Sequence, residues 1–152
     1  MSFQSCLKKR SIIDSMKQKY TFENLEDAKK ANNLFAWTQE YLYGPGHNKN
    51  LAKHLLEAKN TIFSLRELDI DSLICVAGPD KGFKFPIDPK KYEITVSEYS
   101  KKIQTGWNPP PLIVTTGIFE EAGASVADGT HRLEALKRCD FHKYWTIFVE
   151  KK

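Results

Sequence analysis

The sequence predicts an α+β domain with a small mixed β-sheet, preceded by a helical N-terminal segment. Residues 21–43 contain neither glycine nor proline, and their apolar side chains recur at helical spacing. After Asn60, short β-branched and aromatic runs alternate with turn-forming residues. Near the C-terminus, a strand, a second strand, a helix and a third strand are expected in close succession, which is typical of a compact α+β core.

Composition indicates a single soluble domain. The 152 residues are 41% hydrophobic and 28% charged, and the net charge is +4. No apolar run is long enough to span a bilayer, and Asp14 interrupts the only stretch that could begin a signal peptide. Three cysteines without a close pair favour a reducing compartment. We therefore expect a cytoplasmic protein, or one exported by a route that leaves no classical signal, and no membrane contact.

The N-terminal part is expected to form a helical extension, residues 1–60, that packs on a core formed by residues 61–152. One helix is predicted over residues 21–43, with Thr21 as its N-cap and the Gly-Pro-Gly sequence of residues 44–46 at its end. A second helix is predicted over residues 51–59, capped by Asn48 or Asn50.

Each element of the core has a local signal in apolar runs, turn residues and helix caps. Between residues 61 and 106 we expect a strand over 61–65, a turn of helix or a loop over 66–72, a buried strand over 73–77, a turn over 78–82, a segment over 83–88 that pairs back across this turn, and a helix over 97–105 capped by Thr95 or Ser97 and ended at Gly106. After the prolines of residues 109–111 we expect a strand over 112–116, a hairpin connection over 117–123, a strand over 124–127, a helix over 130–139 and a strand over 144–149.

The candidate site is the box, residues 128–132, at the junction between a strand and a helix. Its backbone N–H groups and helix dipole favour an anion, and Thr130 can cap the helix while Gly129 allows a ligand to approach closely. Arg132 offers donors to phosphate oxygens, and His131 can move a proton near neutral pH. Asp128 would repel an anion unless it binds a metal, orders the turn or acts as a base. An ordinary Asp-Gly turn before a capped helix fits the same residues.

The C-terminal region resembles the ParB/sulfiredoxin superfamily. Its members share a Pro-rich entry into a strand, a hairpin, a Gly-x-x-Arg type of box that opens a helix, and a last strand. The similarity covers residues 110–149, and it extends back to Thr61 if the strand over 61–65 and the helix over 97–105 are the family's earlier elements.

Variation in the box separates the branches of this superfamily. Sulfiredoxins carry a redox cysteine where this chain has Thr130, so sulfinic-acid repair is not expected. Partition ParB proteins carry Gly-Glu-Arg-Arg, bind CTP and continue into a DNA-binding domain; because the sequence ends at Lys152, we expect no partition-site binding. The Asp-Gly-x-His-Arg form is similar to that of free-serine kinases and related proteins, in which the box holds nucleotide phosphates.

The resemblance implies a nucleotide-dependent phosphotransferase or NTPase that uses ATP or ADP, with CTP as a further candidate, together with Mg²⁺. Gly129, Thr130, His131 and Arg132 would contact the phosphates. Asp128 would be both catalytic and a metal ligand, with His131 as a second catalytic residue. Glu67 is the candidate base for a small hydroxyl-bearing substrate, with Glu98 behind it; a solvated turn of helix is the alternative for Glu67.

Two other functions stay open at this point. A ParB-like nuclease or DNA-binding regulator from a mobile element would use the box to hold a backbone phosphate, and the positive net charge permits this. A non-catalytic interaction module would keep the fold and present its N-terminal helices to a partner. The sequence assigns no oligomeric state.

Overall fold

The computed structural model describes residues 22–152. Within this range the chain forms five α-helices, seven β-strands and one 3-10 turn. In chain order these are α1 (Phe22–Lys30), α2 (Leu34–Tyr43), α3 (Lys49–Glu57), β1 (Thr61–Asp69), the 3-10 turn (Ile70–Ser72), β2 (Ile74–Cys75), β3 (Ala77–Gly78), β4 (Phe85–Pro86), α4 (Pro89–Gln104), β5 (Leu112–Thr116), β6 (Ser125–Asp128), α5 (Thr130–Arg138) and β7 (Lys143–Lys151).

Five of the strands form one mixed sheet in the order β1-β7-β5-β6-β2. The β1–β7 and β5–β6 pairs are antiparallel, whereas β5–β7 and β2–β6 are parallel. Strands β3 and β4 form a separate two-stranded pair. The predicted α+β class with a small mixed sheet is therefore confirmed.

Helices cover both faces of this sheet, and each face has its own apolar cluster. On one face, Leu42 of α2 and Leu55 of α3 pack with Ile113 and Ile147 of the central strands. On the other face, residues of α4 and α5 such as Val96 and Leu136 pack with the same two strands. The helices before residue 60 are thus integrated with the sheet through a shared apolar cluster. No helix in residues 22–152 is long and apolar enough to cross a membrane.

The single helix predicted over residues 21–43 is wrong, because the chain forms two helices there. Asn32 takes a left-handed conformation with φ +57°, and the next helix begins after Asn33. Asparagine tolerates this conformation better than most residues, so the break is local chemistry that apolar periodicity does not register. The predicted cap Thr21 lies outside the described residues.

The helix predicted over residues 97–105 begins much earlier, at Pro89. Proline is well suited to the first turn of a helix, since its missing N–H group would have no partner there. The caps predicted at Thr95 and Ser97 are therefore wrong, because both residues lie inside α4. Gly106 does end this helix region with the expected positive φ, +103°.

The run over residues 73–77 is not a buried strand. Only Ile74 and Cys75 pair with the sheet, at its edge, and Ile74 is 39% exposed. Strand β1 is longer than predicted and continues through Asp69. Strand β4 does pair with β3 across the turn, but in parallel. The last third of the chain follows the prediction to within two residues at each end.

Candidate functional site

The box connects the central sheet to α5, and Gly129 makes the connection. Strand β6 ends at Asp128 and α5 begins at Thr130, while Gly129 between them has φ +110°. A Cβ atom on Gly129 would lie 2.7 Å from Leu112 Cδ2 and 2.8 Å from a terminal nitrogen of Arg132. Backbone angle and lack of space therefore both require glycine at this position.

A β-bulge sets the direction of the Asp128 side chain. Asp128 lies opposite Ile113 whereas Val126 lies opposite Val114, so Ala127 is the extra residue on β6. A bulge of this kind changes which way the following side chain points. Here Asp128 reaches Asn48 before α3, and its Oδ1 accepts a hydrogen bond from Asn48 Nδ2 at 3.0 Å.

Arg132 is buried and its guanidinium group points into the protein. It donates hydrogen bonds to the Tyr41 hydroxyl at 2.7 Å, to the Pro111 carbonyl at 3.1 Å and to Asp128 Oδ2 at 3.3 Å. Burial alone would lower the pKa of Arg132, but Tyr41 and Asp128 beside it raise this pKa above its ordinary value. Arg132 therefore stays charged, and a bound phosphate would have to compete with these three acceptors for its donors.

The first turn of α5 has no side-chain cap. Gly129 occupies the N-cap position and Thr130 is the first helical residue, so the prediction that Thr130 caps the helix is wrong. The backbone N–H groups of this first turn have no acceptor within the helix. The sequence leads us to expect that donors at this junction bind an anion.

His131 is half-buried on α5, and its ring lies 5.3 Å from that of Tyr92 on α4. Burial lowers the pKa of His131, and the positive charge of Arg132 lowers it further. The imidazole is consequently neutral near pH 7 and can accept a proton.

The two glutamates predicted as bases are exposed to solvent, unlike the residues of the box. Glu67 is exposed on β1, opposite Trp145, and β1 is three strands away from β6. At the usual spacing of neighbouring strands this separation is about 14 Å. Glu98 is exposed on α4. The structure therefore does not bring Glu67 together with the box.

Two further side chains that could carry chemistry, Trp107 and Cys139, have local structural partners. Trp107 is half-buried with its ring 5.3 Å from Tyr99, and Cys139 donates to the Ser100 carbonyl at 3.5 Å. Across residues 22–152, no group of three His, Cys, Asp or Glu side chains could hold a metal ion. His47 and His54 therefore belong to no such group.

Sequence reasoning missed Tyr41 and Asn48, two residues of the N-terminal part that contact the box. They precede their partners by 91 and 80 residues. Asn48 was recognisable as a helix cap, and its Oδ1 does accept the Leu51 N–H group at 3.2 Å. Its second contact, and that of Tyr41, depend on the tertiary packing of α2 and α3 against the sheet.

Comparison with known proteins gives one structural likeness. The chain is similar to a Pnob8-like ParB-N domain solved in a C2221 crystal form, with 17% sequence identity, 59% of this chain covered and a TM-score of 0.40. It spans 30% of that chain's length. No protein-family profile and no curated protein matches the sequence.

Proposed function

We propose that this protein binds a nucleotide through its phosphates at the N-terminus of α5. The observation that carries this proposal is the uncapped first turn after Gly129, where the N–H groups of Thr130 and His131 have no acceptor within the helix. The helix dipole adds partial positive charge at the same point. The nucleotide class, ATP or ADP with CTP as the next candidate, follows from the sequence resemblance of the box.

The arrangement of charge around the box supports an anionic ligand. An isolated carboxylate at Asp128 would repel phosphate, but Arg132 lies 3.3 Å from one of its oxygens and Asn48 donates to the other. Because both oxygens are already bound, the negative charge of Asp128 is largely compensated inside the protein. The backbone donors of α5 are then free of a strong opposing charge.

Asp128 is poorly placed to hold a metal ion by itself. With both of its oxygens engaged, and with no cluster of three ligating side chains in residues 22–152, the donor set does not fit a Mg²⁺ ion held by protein groups alone. Magnesium commonly binds proteins together with substrate phosphates. We therefore propose Mg²⁺ only as the counterion that accompanies the nucleotide.

Turnover, as the finer part of the proposal, would depend on His131. Phosphoryl transfer to a hydroxyl group or to water needs a proton acceptor beside the phosphates. The lowered pKa of His131 keeps its imidazole neutral at pH 7, and its place in the first turn of α5 puts it next to the proposed phosphate site. Glu67 is too far away for this role.

Thermal unfolding with a panel of ligands tests the proposal. ATP, ADP, CTP and inorganic phosphate are compared with and without Mg²⁺, and product formation is measured in the same samples. A nucleotide at a hundredfold excess over its Kd stabilises a protein by about 2.7 kcal/mol, which corresponds to roughly 5–10 °C in Tm for a chain of this size.

Two histidine variants make the test specific. His131→Ala should reduce the nucleotide-dependent rise in Tm and abolish any turnover. His142→Ala is the matched control, because His142 is exposed and follows the opposite end of α5. No shift in the wild-type protein with any nucleotide at millimolar concentration would refute the proposal. Turnover in His131→Ala equal to that in His142→Ala would refute the role of His131.

A further inference from the structure

We propose that Tyr41 and Asn48 are positioning residues of the nucleotide site. They belong to the N-terminal helical region, and they hold Arg132 and Asp128 in the arrangement that leaves the first turn of α5 available to a ligand. This inference rests on the proposed function, and it assigns part of that function to residues outside the box.

Tyr41 of α2 fixes the guanidinium group of Arg132 through its hydroxyl group. Its side chain is 2% exposed, and its ring is stacked on Trp37 with centroids 5.4 Å apart. The loop after α2 also packs against the ring, since a Cβ atom on Gly46 would lie 2.9 Å from Tyr41 Cε1. The hydroxyl group is therefore fixed in place, and it accepts the shortest of the Arg132 hydrogen bonds, at 2.7 Å.

Asn48 holds Asp128 in a comparable way. Its backbone N–H donates to the Leu42 carbonyl at 2.9 Å, and its side-chain oxygen caps α3 by accepting the Leu51 N–H group. These two bonds fix the amide, so its nitrogen points at Asp128 Oδ1. The same residue thus caps a helix and orients a charged group of the box.

The consequence for ligand binding is electrostatic. The charges of Arg132 and Asp128 neutralise each other only while the two side chains stay in contact. This requires that the guanidinium group keeps pointing into the protein and that the carboxylate keeps the direction set by the bulge at Ala127. Loss of the Tyr41 hydroxyl removes an acceptor from a buried charge, which favours movement of Arg132. Loss of the Asn48 donor frees an oxygen of Asp128, whose charge then opposes phosphate.

A purely structural role for these contacts makes a different prediction. If Tyr41 and Asn48 only attach α2 and α3 to the sheet, their loss would lower Tm but would leave the nucleotide affinity of the folded protein unchanged. Affinity measured well below Tm therefore separates the two roles.

Two conservative variants and two matched controls provide the test. Tyr41→Phe keeps the ring on Trp37 and removes the hydroxyl, and Asn48→Ser keeps a capping oxygen but cannot reach Asp128. Tyr43→Phe on the same helix and Asn50→Ser in α3 are the controls, because both residues are exposed. Calorimetric titration with Mg·ATP should give a Kd about tenfold weaker for each test variant and within about twofold of wild type for each control. Wild-type affinity in both folded test variants would overturn the inference while leaving the proposed function intact.

A second readout requires no ligand. Nitrogen-15 spectra should show slow rotation of the Arg132 guanidinium group in the wild type, since three acceptors hold it, and faster rotation in Tyr41→Phe but not in Tyr43→Phe. If the wild type binds no nucleotide, the proposed function fails, and this spectrum alone decides whether Tyr41 positions Arg132. An Arg132 spectrum unchanged in Tyr41→Phe would overturn the inference.

Discussion

Replacing Asp128 by alanine tests the energetic importance of the buried ion pair. In residues 22–152, Asp128 is the one carboxylate that pairs with Arg132, and the two side chains are 12% and 11% exposed. Removing one partner of a buried pair typically costs about 3–5 kcal/mol. Arg132 would keep the Tyr41 and Pro111 acceptors, so the loss should be near the lower limit, about 3 kcal/mol. For a chain of this length that is roughly a 6–12 °C decrease in Tm.

The exposed pair between Arg138 and Glu93 is the control for this experiment. Its two hydrogen bonds, at 2.7 and 2.8 Å, are shorter than the 3.3 Å contact of the buried pair. Distance alone would rank it as the stronger pair. Because Glu93 is 56% exposed and Arg138 37% exposed, solvent screens their attraction. We expect Glu93→Ala to change stability little.

Urea unfolding of the wild type, Asp128→Ala and Glu93→Ala measures both losses. The midpoint should fall for Asp128→Ala with an unchanged m value, since the fold is the same. Raising the salt concentration should reduce the small effect of Glu93→Ala and leave that of Asp128→Ala. Equal losses in the two variants, or a loss below 1 kcal/mol for Asp128→Ala, would refute the argument from burial.

Two further pairs of residues give matched predictions. Burial lowers the pKa of His131, so its contribution to stability is present above the unfolded-state pKa and is lost as the pH falls through the folded-state pKa. Asp71, 3.0 Å away, raises the pKa of exposed His142, so its contribution is present at lower pH and is lost as the pH rises through the folded-state pKa. Proton NMR titration should place the two pKa values on opposite sides of about 6.5, with that of His142 falling in Asp71→Asn; a common value would contradict both assignments. Gly129→Ala and Gly106→Ala share a positive-φ strain of about 1–2 kcal/mol, but only Gly129 lacks room for a Cβ atom. Urea unfolding should therefore show a larger loss for Gly129→Ala, and equal losses would refute the packing argument.

Local sequence patterns predict the last third of the fold because its signals are local. Strand β5 is a β-branched run between prolines and Gly117, and its predicted and observed bounds are the same. The earlier errors arise where one residue or the tertiary setting decides. A single left-handed residue, Asn32, divides a periodic segment into two helices. The apolar run at residues 73–77 has the composition of a buried strand. Its composition does not predict its place in the sheet, where β2 pairs only with β6 and therefore lies at the edge.

The same limit applies to the candidate site. The sequence places the box correctly at a strand-to-helix junction, and the left-handed Gly129 agrees with the requirement for glycine there. It does not reveal which way the side chains point. That depends on the bulge at Ala127 and on acceptors such as Tyr41, which lie far away in the chain.

The box has two parts, the inward-pointing side chains of Asp128 and Arg132 and the backbone N–H donors of the first turn of α5. Asp128 and Arg132 point inward, toward each other and toward the N-terminal helices, whereas the donors of the first turn of α5 remain without a helical acceptor. An acid beside the proposed anion site is then no contradiction, because its charge is balanced before any ligand arrives. On this view the charged side chains fix the shape of the turn and the local field, and recognition of phosphate depends mainly on backbone N–H groups. Affinity should therefore be more sensitive to changes that move this turn than to the loss of any one outward-facing side chain.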